Sequence, residues 1–489
     1  MLINRVTIVF IVLIQFKINC NIVTMTNWLP DISKAQSTKY LALADEIGSA
    51  IKDGILPAGA KMPPQRNLAY DIGVTLGTVS RGYREAERRG LIGGEVGRGT
   101  YVLDLNSQQE DSYFIPGANL PTGVANFSHG SPVKGQAGKY LAKIMADISL
   151  EPNIDALCNY QLNTGMDVHV EAGATWLTYL GLENAHTDNI AITNGAQHGI
   201  MVSLMAVSSP GDTILVDPLT YPGVIHLAKK LGYRLETVAN DEHGMIPDAL
   251  DEACRRHAPS VLFLMPTLQN PTVTSMPTDR RLEIAKIVKK SGLFVIEDDS
   301  WGPMVDTNAP QMANLIPDQT FYLTSFSKCI AGGMRIGYVL GPPRLSDRLR
   351  AAVRMTCMMP APLMAEIIRR WIMDGTTQEL ITWQRAQVDK RSTAALNSLK
   401  GHQVNYYPGS HLIWLSLPEP WTAREFKSQA EDRGIIVISA DTFAIDRLKA
   451  PQAVRIGIGH PENIEAIIKG ANKLADILEQ GPEDSFNVI

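Results

Sequence analysis

Lys328 lies in the stretch TSFSKCIAGGMRIGYVLGP, residues 324–342, after two hydroxyl residues, Ser325 and Ser327, and ahead of Arg335. An amine that can condense with an aldehyde, beside hydroxyls and a guanidinium that can hold a phosphate, suits an aldehyde cofactor carrying a phosphate. The plain alternative is a surface loop leading into a strand. Other groups with chemical capacity stand upstream in order. TNGAQHG (residues 193–199) is a small-residue turn into a helix, where the amides of Ala196 and Gln197 could bind phosphate. DPLTYPG offers Tyr221 for stacking, PTLQNPT offers Asn270, and FVIEDDSWG offers Asp298 and Asp299. Taken singly, each has an ordinary structural explanation: a core aromatic, a solvated strand end, a helix cap.

The elements that must position these groups are strands. NIAIT, DTILVD, SVLFLMP, GLFVIEDD, TFYLTSF and RIGYVLG are apolar runs alternating with helical stretches, the pattern of an α/β fold around a mostly parallel sheet. In such sheets ligands sit at the carboxyl ends of the strands, where the groups above fall. The pattern begins near Asn126. Before it, residues 104–125 are polar and rich in Pro, Gly and Ser, as a linker is. Earlier still, Leu43, Ile47 and Ile51 mark a helix over 39–54, RNLAYDIG a short second helix, and Thr75 caps a third that runs to Arg89. LIGGEVGRGTYVLDL then reads as two short strands around a Gly-Arg-Gly turn.

The 489 residues suggest two to four domains, and 45% hydrophobic with 19% charged is an ordinary globular composition. The net charge of −5 gives no global nucleic-acid signal, but residues 39–103 hold nine Lys/Arg against seven Asp/Glu, a net of +2. Cys20, Cys158, Cys254, Cys329 and Cys357 form no CxxC pair, so no metal site or disulfide framework is expected. The apolar run from Val6 to Phe16 is short for a membrane span, which needs about 20 residues. Residues 1–24 are read as an upstream extension ahead of a normal soluble start at Met25.

Three short helices and a β-hairpin make a winged helix-turn-helix. GILPAGAKMPPQRNLA, GVTLGTVSRGY and the final GRGTYV resemble the GntR family of bacterial regulators. The resemblance implies a DNA-binding domain over 25–103. In it Arg66 grips phosphate, Thr75, Thr78, Ser80 and Arg81 face DNA, and Arg98 and Gly99 form the wing tip. Many members carry Arg where this chain has Leu76. The order of groups from Ala196 to Arg335 resembles the aminotransferases of fold type I, which use pyridoxal 5′-phosphate (PLP). That implies a PLP-binding domain over 126–482, with a mostly parallel sheet and a smaller C-terminal α+β part. By this resemblance Lys328 forms the Schiff base. Asp298 pairs with the pyridine nitrogen, Asn270 bonds the ring oxygen, and Tyr221 stacks on the ring. Ser325, Ser327, Arg335 and the turn at Ala196–Gln197 hold the phosphate. Arg455 takes a substrate carboxylate, and Tyr160 is lent to the partner's site in a homodimer. Two departures stand out: Ser300 and Trp301 replace the tyrosine that usually follows the aspartate pair, and Val273 replaces a usual glycine.

Together the two parts resemble the MocR regulators. The expectation is a cytoplasmic, dimeric regulator of a double-stranded operator, with no membrane association. Its large domain would sense an amino compound or PLP itself. The alternative is a working aminotransferase with an accessory DNA-binding module.

Overall fold

A computed structural model of the chain describes residues 28–32, 38–95, 99–103, 125–161 and 165–482. The N-terminal extension, nearly all of the linker, and Arg98 at the expected wing tip lie outside the described residues. The described residues up to Leu103 form one compact unit, and those from Ala125 onward, apart from 447–449, form a second.

The first unit holds helices α1 (Lys39–Lys52), α2 (Gln65–Asp71) and α3 (Leu76–Arg88), then strands β1 (Ile92–Glu95) and β2 (Gly99–Val102). β1 and β2 pair antiparallel from Ile92↔Val102 to Glu95↔Gly99. Leu43 and Ile47 of α1 and Val79, Tyr83 and Ala86 of α3 are buried in one core, as their helical spacing requires. Gly82 lets the two helices close on each other, since a Cβ there would come within 2.7 Å of the Leu43 side chain. Tyr83 Oη donates to Pro63 O at 2.7 Å, pinning the loop ahead of α2.

The second unit is built on a seven-stranded sheet. Its strands in chain order are β3 (Ile190–Thr193), β4 (Thr213–Val216), β5 (Arg234–Thr237), β6 (Val261–Leu264), β7 (Phe294–Asp298), β8 (Thr320–Ser325) and β9 (Gly337–Leu340). In space they run β3-β9-β8-β7-β6-β4-β5. β3, β4, β6 and β8 are buried at every position, the signature of strands covered on both faces, whereas edge strand β5 has both its end residues exposed. β9 alone is antiparallel to both of its neighbours. A smaller antiparallel sheet follows, with β10 (Val404–Asn405), β11 (Leu412–Ser416), β12 (Ile438–Ser439) and β13 (Ala453–Gly457) in the order β10-β11-β13-β12. Among the described residues no helix is long and apolar enough to cross a membrane.

Candidate cofactor and DNA-contact sites

The strand ends assemble the site. Asp298 is the last residue of β7 and Ser325 the last of β8; Asn194 follows β3, and Asn270 lies in the loop that follows β6. The reversed strand β9 adds Arg335. Its first residue, Gly337, pairs with both Ser325 and Thr193, so the chain just before it sits at the same edge as the carboxyl ends of β3 and β8. There Arg335 adopts φ +49°, and its Nη1 donates to Ser327 Oγ (3.1 Å) and its Nη2 to Asn194 O (3.0 Å). Helix α4 (Ala196–Val207) starts beside it. Its amides at Ala196, Gln197 and His198 precede the first helical bond, from Gly199 N to Gly195 O. Gly195, at φ +79°, is the cap, and a Cβ there would come 2.9 Å from the Arg335 guanidinium. Three open amides, a guanidinium and the hydroxyls of Ser325 and Ser327 form a cradle for a phosphate.

Lys328 is partly buried, and its Nζ donates to Gly130 O at 2.6 Å and lies 5.1 Å from the ring centre of Trp301. Burial, then the charge of Arg455, lowers its pKa to about 8, Asp298 opposing and Arg335 adding a little. Of the two adjacent aspartates, strand alternation decides which faces Lys328. Asp298 accepts from Ser300 N (3.1 Å) and Ser300 Oγ (2.6 Å); burial raises its pKa against those bonds and the charge of Lys328. Asp299 instead accepts from Tyr322 Oη at 2.7 Å, with burial pushing its carboxyl up to about 6. Ser300, where the usual tyrosine is missing, therefore serves Asp298, and Trp301 covers Lys328.

Arg455, in the middle of β13, is buried. Its Nη1 donates to Asn270 Oδ1 at 2.8 Å, its Nη2 to Ser128 O at 2.6 Å, and the guanidinium lies 4.7 Å from the ring centre of Phe443. Burial brings its pKa down to about 10. Its Nε is buried without a hydrogen-bond partner among the described residues. Because Asn270 Oδ1 accepts from Arg455, its amide nitrogen remains as a donor. Tyr221 caps the helix Pro222–Leu231 and is half-buried. Tyr160, by contrast, is 83% exposed within the single chain, away from this cluster's burial. Val273 holds φ +56°, a conformation unusual for a β-branched residue, at the position where glycine is usual.

Sequence reasoning missed Ser128 and Gly130, which contribute backbone carbonyls, and also Phe443 and His198; Trp301 it marked only as a departure. The donor set fits PLP: an amine for the aldehyde, a buried carboxylate for the ring nitrogen, an amide for the ring oxygen and the cradle for the phosphate.

In the first unit Thr75 caps α3, accepting from Thr78 N at 3.2 Å, and its hydroxyl lies 2.9 Å from that of Thr78. A shallow cleft of about 280 Å³ is lined by Lys39, Tyr40, Thr75, Gly77, Thr78 and Arg81. Arg66 and Arg81 are exposed, Ser80 is half-buried, and Gly99 stands at the start of β2 with φ +113°. Arg88 and Arg89 are held by Glu85, and Arg89 also by Asp45.

Fold and site define a PLP-type aminotransferase domain carrying an N-terminal winged helix. The chain belongs to the family of aminotransferases class I and II, whose model matches residues 141–470, and the model of bacterial regulatory proteins of the gntR family matches residues 39–102. The uncharacterized HTH-type transcriptional regulator YdeF of Bacillus subtilis (strain 168) is 29% identical over 454 residues, 93% of this chain and 97% of that protein. The mitochondrial kynurenine/alpha-aminoadipate aminotransferase of Bos taurus is 28% identical over 251 residues, covering 47% of this chain and 59% of the enzyme. The solved structure of LysN, an alpha-aminoadipate aminotransferase from Thermus thermophilus complexed with N-(5'-phosphopyridoxyl)-L-leucine, superposes with a TM-score of 0.67 at 22% identity, covering 73% of this chain and 93% of that one.

Proposed function

We propose that this chain is a DNA-binding transcriptional regulator whose aminotransferase domain holds PLP on Lys328 and senses an amino compound or PLP itself. The observation that carries the reading is the joining of a gntR-type winged helix to an aminotransferase domain whose strand ends gather a donor set that suits PLP. PLP supplies an electron sink for bonds to the carbon bearing an amine. The chain's own residues do the rest. Lys328, with its depressed pKa, is partly neutral near physiological pH and so can act as nucleophile and proton carrier at Nζ. Asp298, fixed by Ser300, orients toward the ring nitrogen. Arg455 holds a carboxylate, and Trp301 shields the amine from water. In the first unit, Arg66 takes a DNA phosphate, while Thr75, Thr78, Ser80 and Arg81 meet the major groove. The working form is a homodimer in which Tyr160 reaches the partner's site, and its compartment is the cytoplasm. The domains run 25–103 and 126–482, joined by a linker at 104–125.

A second reading, a working aminotransferase with an accessory DNA module, is favoured by one observation: Lys328, Asp298 and Arg455 retain what proton transfer and carboxylate binding need. Against it stands the absence of a phenol at Ser300 and Trp301, since acid–base assistance is worth roughly 10²–10⁴-fold. The deciding experiment measures transamination over a panel of amino and keto acids beside DNA binding with and without each ligand. The regulator reading expects ligand-dependent DNA affinity and turnover well below the ~10 s⁻¹ typical of enzymes. Brisk turnover with DNA binding indifferent to every ligand would decide for the enzyme.

A further inference from the structure

The turn that forms the phosphate cradle is tied down by a buried histidine that the cofactor chemistry does not use. His198, the third residue of α4, is buried. Its Nδ1 lies 3.0 Å from Asn194 N, and its Nε2 lies 2.7 Å from Thr356 Oγ1, near the end of helix α5 (Ser346–Cys357). The hydrogen accounting fixes its tautomer. A backbone N–H only donates, so Nδ1 must accept from Asn194. Thr356 Oγ1 lies 2.8 Å from Ala352 O and 3.1 Å from Val353 O, so its hydrogen goes to the helix and it receives from Nε2–H. Burial lowers the pKa of His198, in keeping with a neutral ring. Asn194 is the residue whose carbonyl accepts from Arg335 and whose neighbour, Gly195, caps α4. Its side chain is bonded by Cys357.

We propose that His198 is a positioning residue for the phosphate group of the ligand, a role that rests on PLP being that ligand. By accepting from Asn194 N, the Nδ1 atom fixes the Thr193–Asn194 peptide, and so anchors the start of the turn that carries the Asn194 carbonyl accepting from Arg335 and the open amides of α4. Thr356 acts one step back by holding the proton on Nε2. The consequence is specific: His198 matters to the phosphate and not to the aldehyde or ring.

The test titrates the cofactor-free, full-length chain with PLP and with pyridoxal, which lacks the phosphate, following absorbance, with inorganic phosphate as competitor. His198→Leu, without an acceptor, should weaken PLP by about tenfold while pyridoxal changes less than about twofold. His198→Asn, whose Oδ1 replaces Nδ1, should restore most of the PLP affinity. Thr356→Val is nearly isosteric and lies outside the cradle. It should give the same phosphate-selective loss, because Nε2–H loses its acceptor and the wrong tautomer gains. Equal weakening of PLP and pyridoxal, or no change in any variant, overturns the role of His198 while leaving PLP binding intact. A wild-type chain that binds neither compound overturns the PLP reading itself, and the role of His198 with it.

Discussion

Lys328 carries two expectations that follow from its surroundings. Its pKa of about 8 makes the amine available at lower pH than an ordinary lysine. The rate of PLP capture should therefore rise between pH 7 and 9 with a midpoint near 8; stopped-flow absorbance would show it, and a midpoint near 10 would refute it. The same shift is a stability statement. The folded pKa lies below the unfolded value of 10.5, so between about pH 8 and 10.5 the unfolded chain binds more protons, and stability rises with pH through that window. Below it the penalty is fully present. Lys328→Met should accordingly stabilise the cofactor-free protein at pH 7 by on the order of 1 kcal/mol, the lost bond to Gly130 O offsetting part of the gain. By pH 10.5 the advantage should vanish; chemical denaturation at the two pH values checks this. That Asp298 rather than Asp299 is the carboxylate beside Lys328 was only half legible. The sequence shows two aspartates in a row, and only the pleat of β7 separates their faces. Ser128 and Gly130 were not legible at all, because they contribute backbone carbonyls from a segment some 200 residues earlier in the chain, with no side-chain signature.

Among the elements, the strands of the large sheet were legible because buried parallel strands are nearly continuous apolar runs. The direction of β9 is not written in its apolar run. It follows from the connection between Ser325 and Gly337, which holds no α-helix and is too short for a parallel crossover. That reversal is what delivers Arg335 to the cradle. In the first unit the helix spacing was equally clear, while the close approach of α1 and α3 at Gly82 had no sequence signal beyond the glycine itself. Gly82→Ala would push a Cβ to within 2.7 Å of Leu43. It should cost roughly 1–3 kcal/mol. In calorimetry of the full chain, the winged-helix transition should move down and the aminotransferase transition stay in place; an unchanged first transition would show that the helices separate without cost.

For the whole molecule, the expectation is coupled binding. Residues 39–103 should bind duplex DNA with an affinity that falls steeply with salt, as phosphate neutralisation requires. Arg66→Ala should weaken binding across all sequences and reduce the salt slope by about 1, since a phosphate contact positions without reading bases. Filter or anisotropy titrations at several salt concentrations give both numbers, and a sequence-selective loss would place Arg66 on a base instead. Where the two functions meet, thermodynamic reciprocity gives a sharp check: a ligand that changes DNA affinity by some factor must have its own affinity changed by DNA by the same factor.

The grip on Arg455 sets what kinds of molecule can be told apart. Both of its Nη groups are already bound, and Phe443 supports its guanidinium. The side chain has therefore given up its rotamer freedom before any ligand arrives, and a carboxylate that bonds its guanidinium is spared that entropy cost. A monoamine made from the same amino acid by loss of CO₂ would leave this donor unused. Discrimination between the two should be on the order of 10–100-fold, the worth of one charge-assisted hydrogen bond, and it should be largely enthalpic in calorimetry.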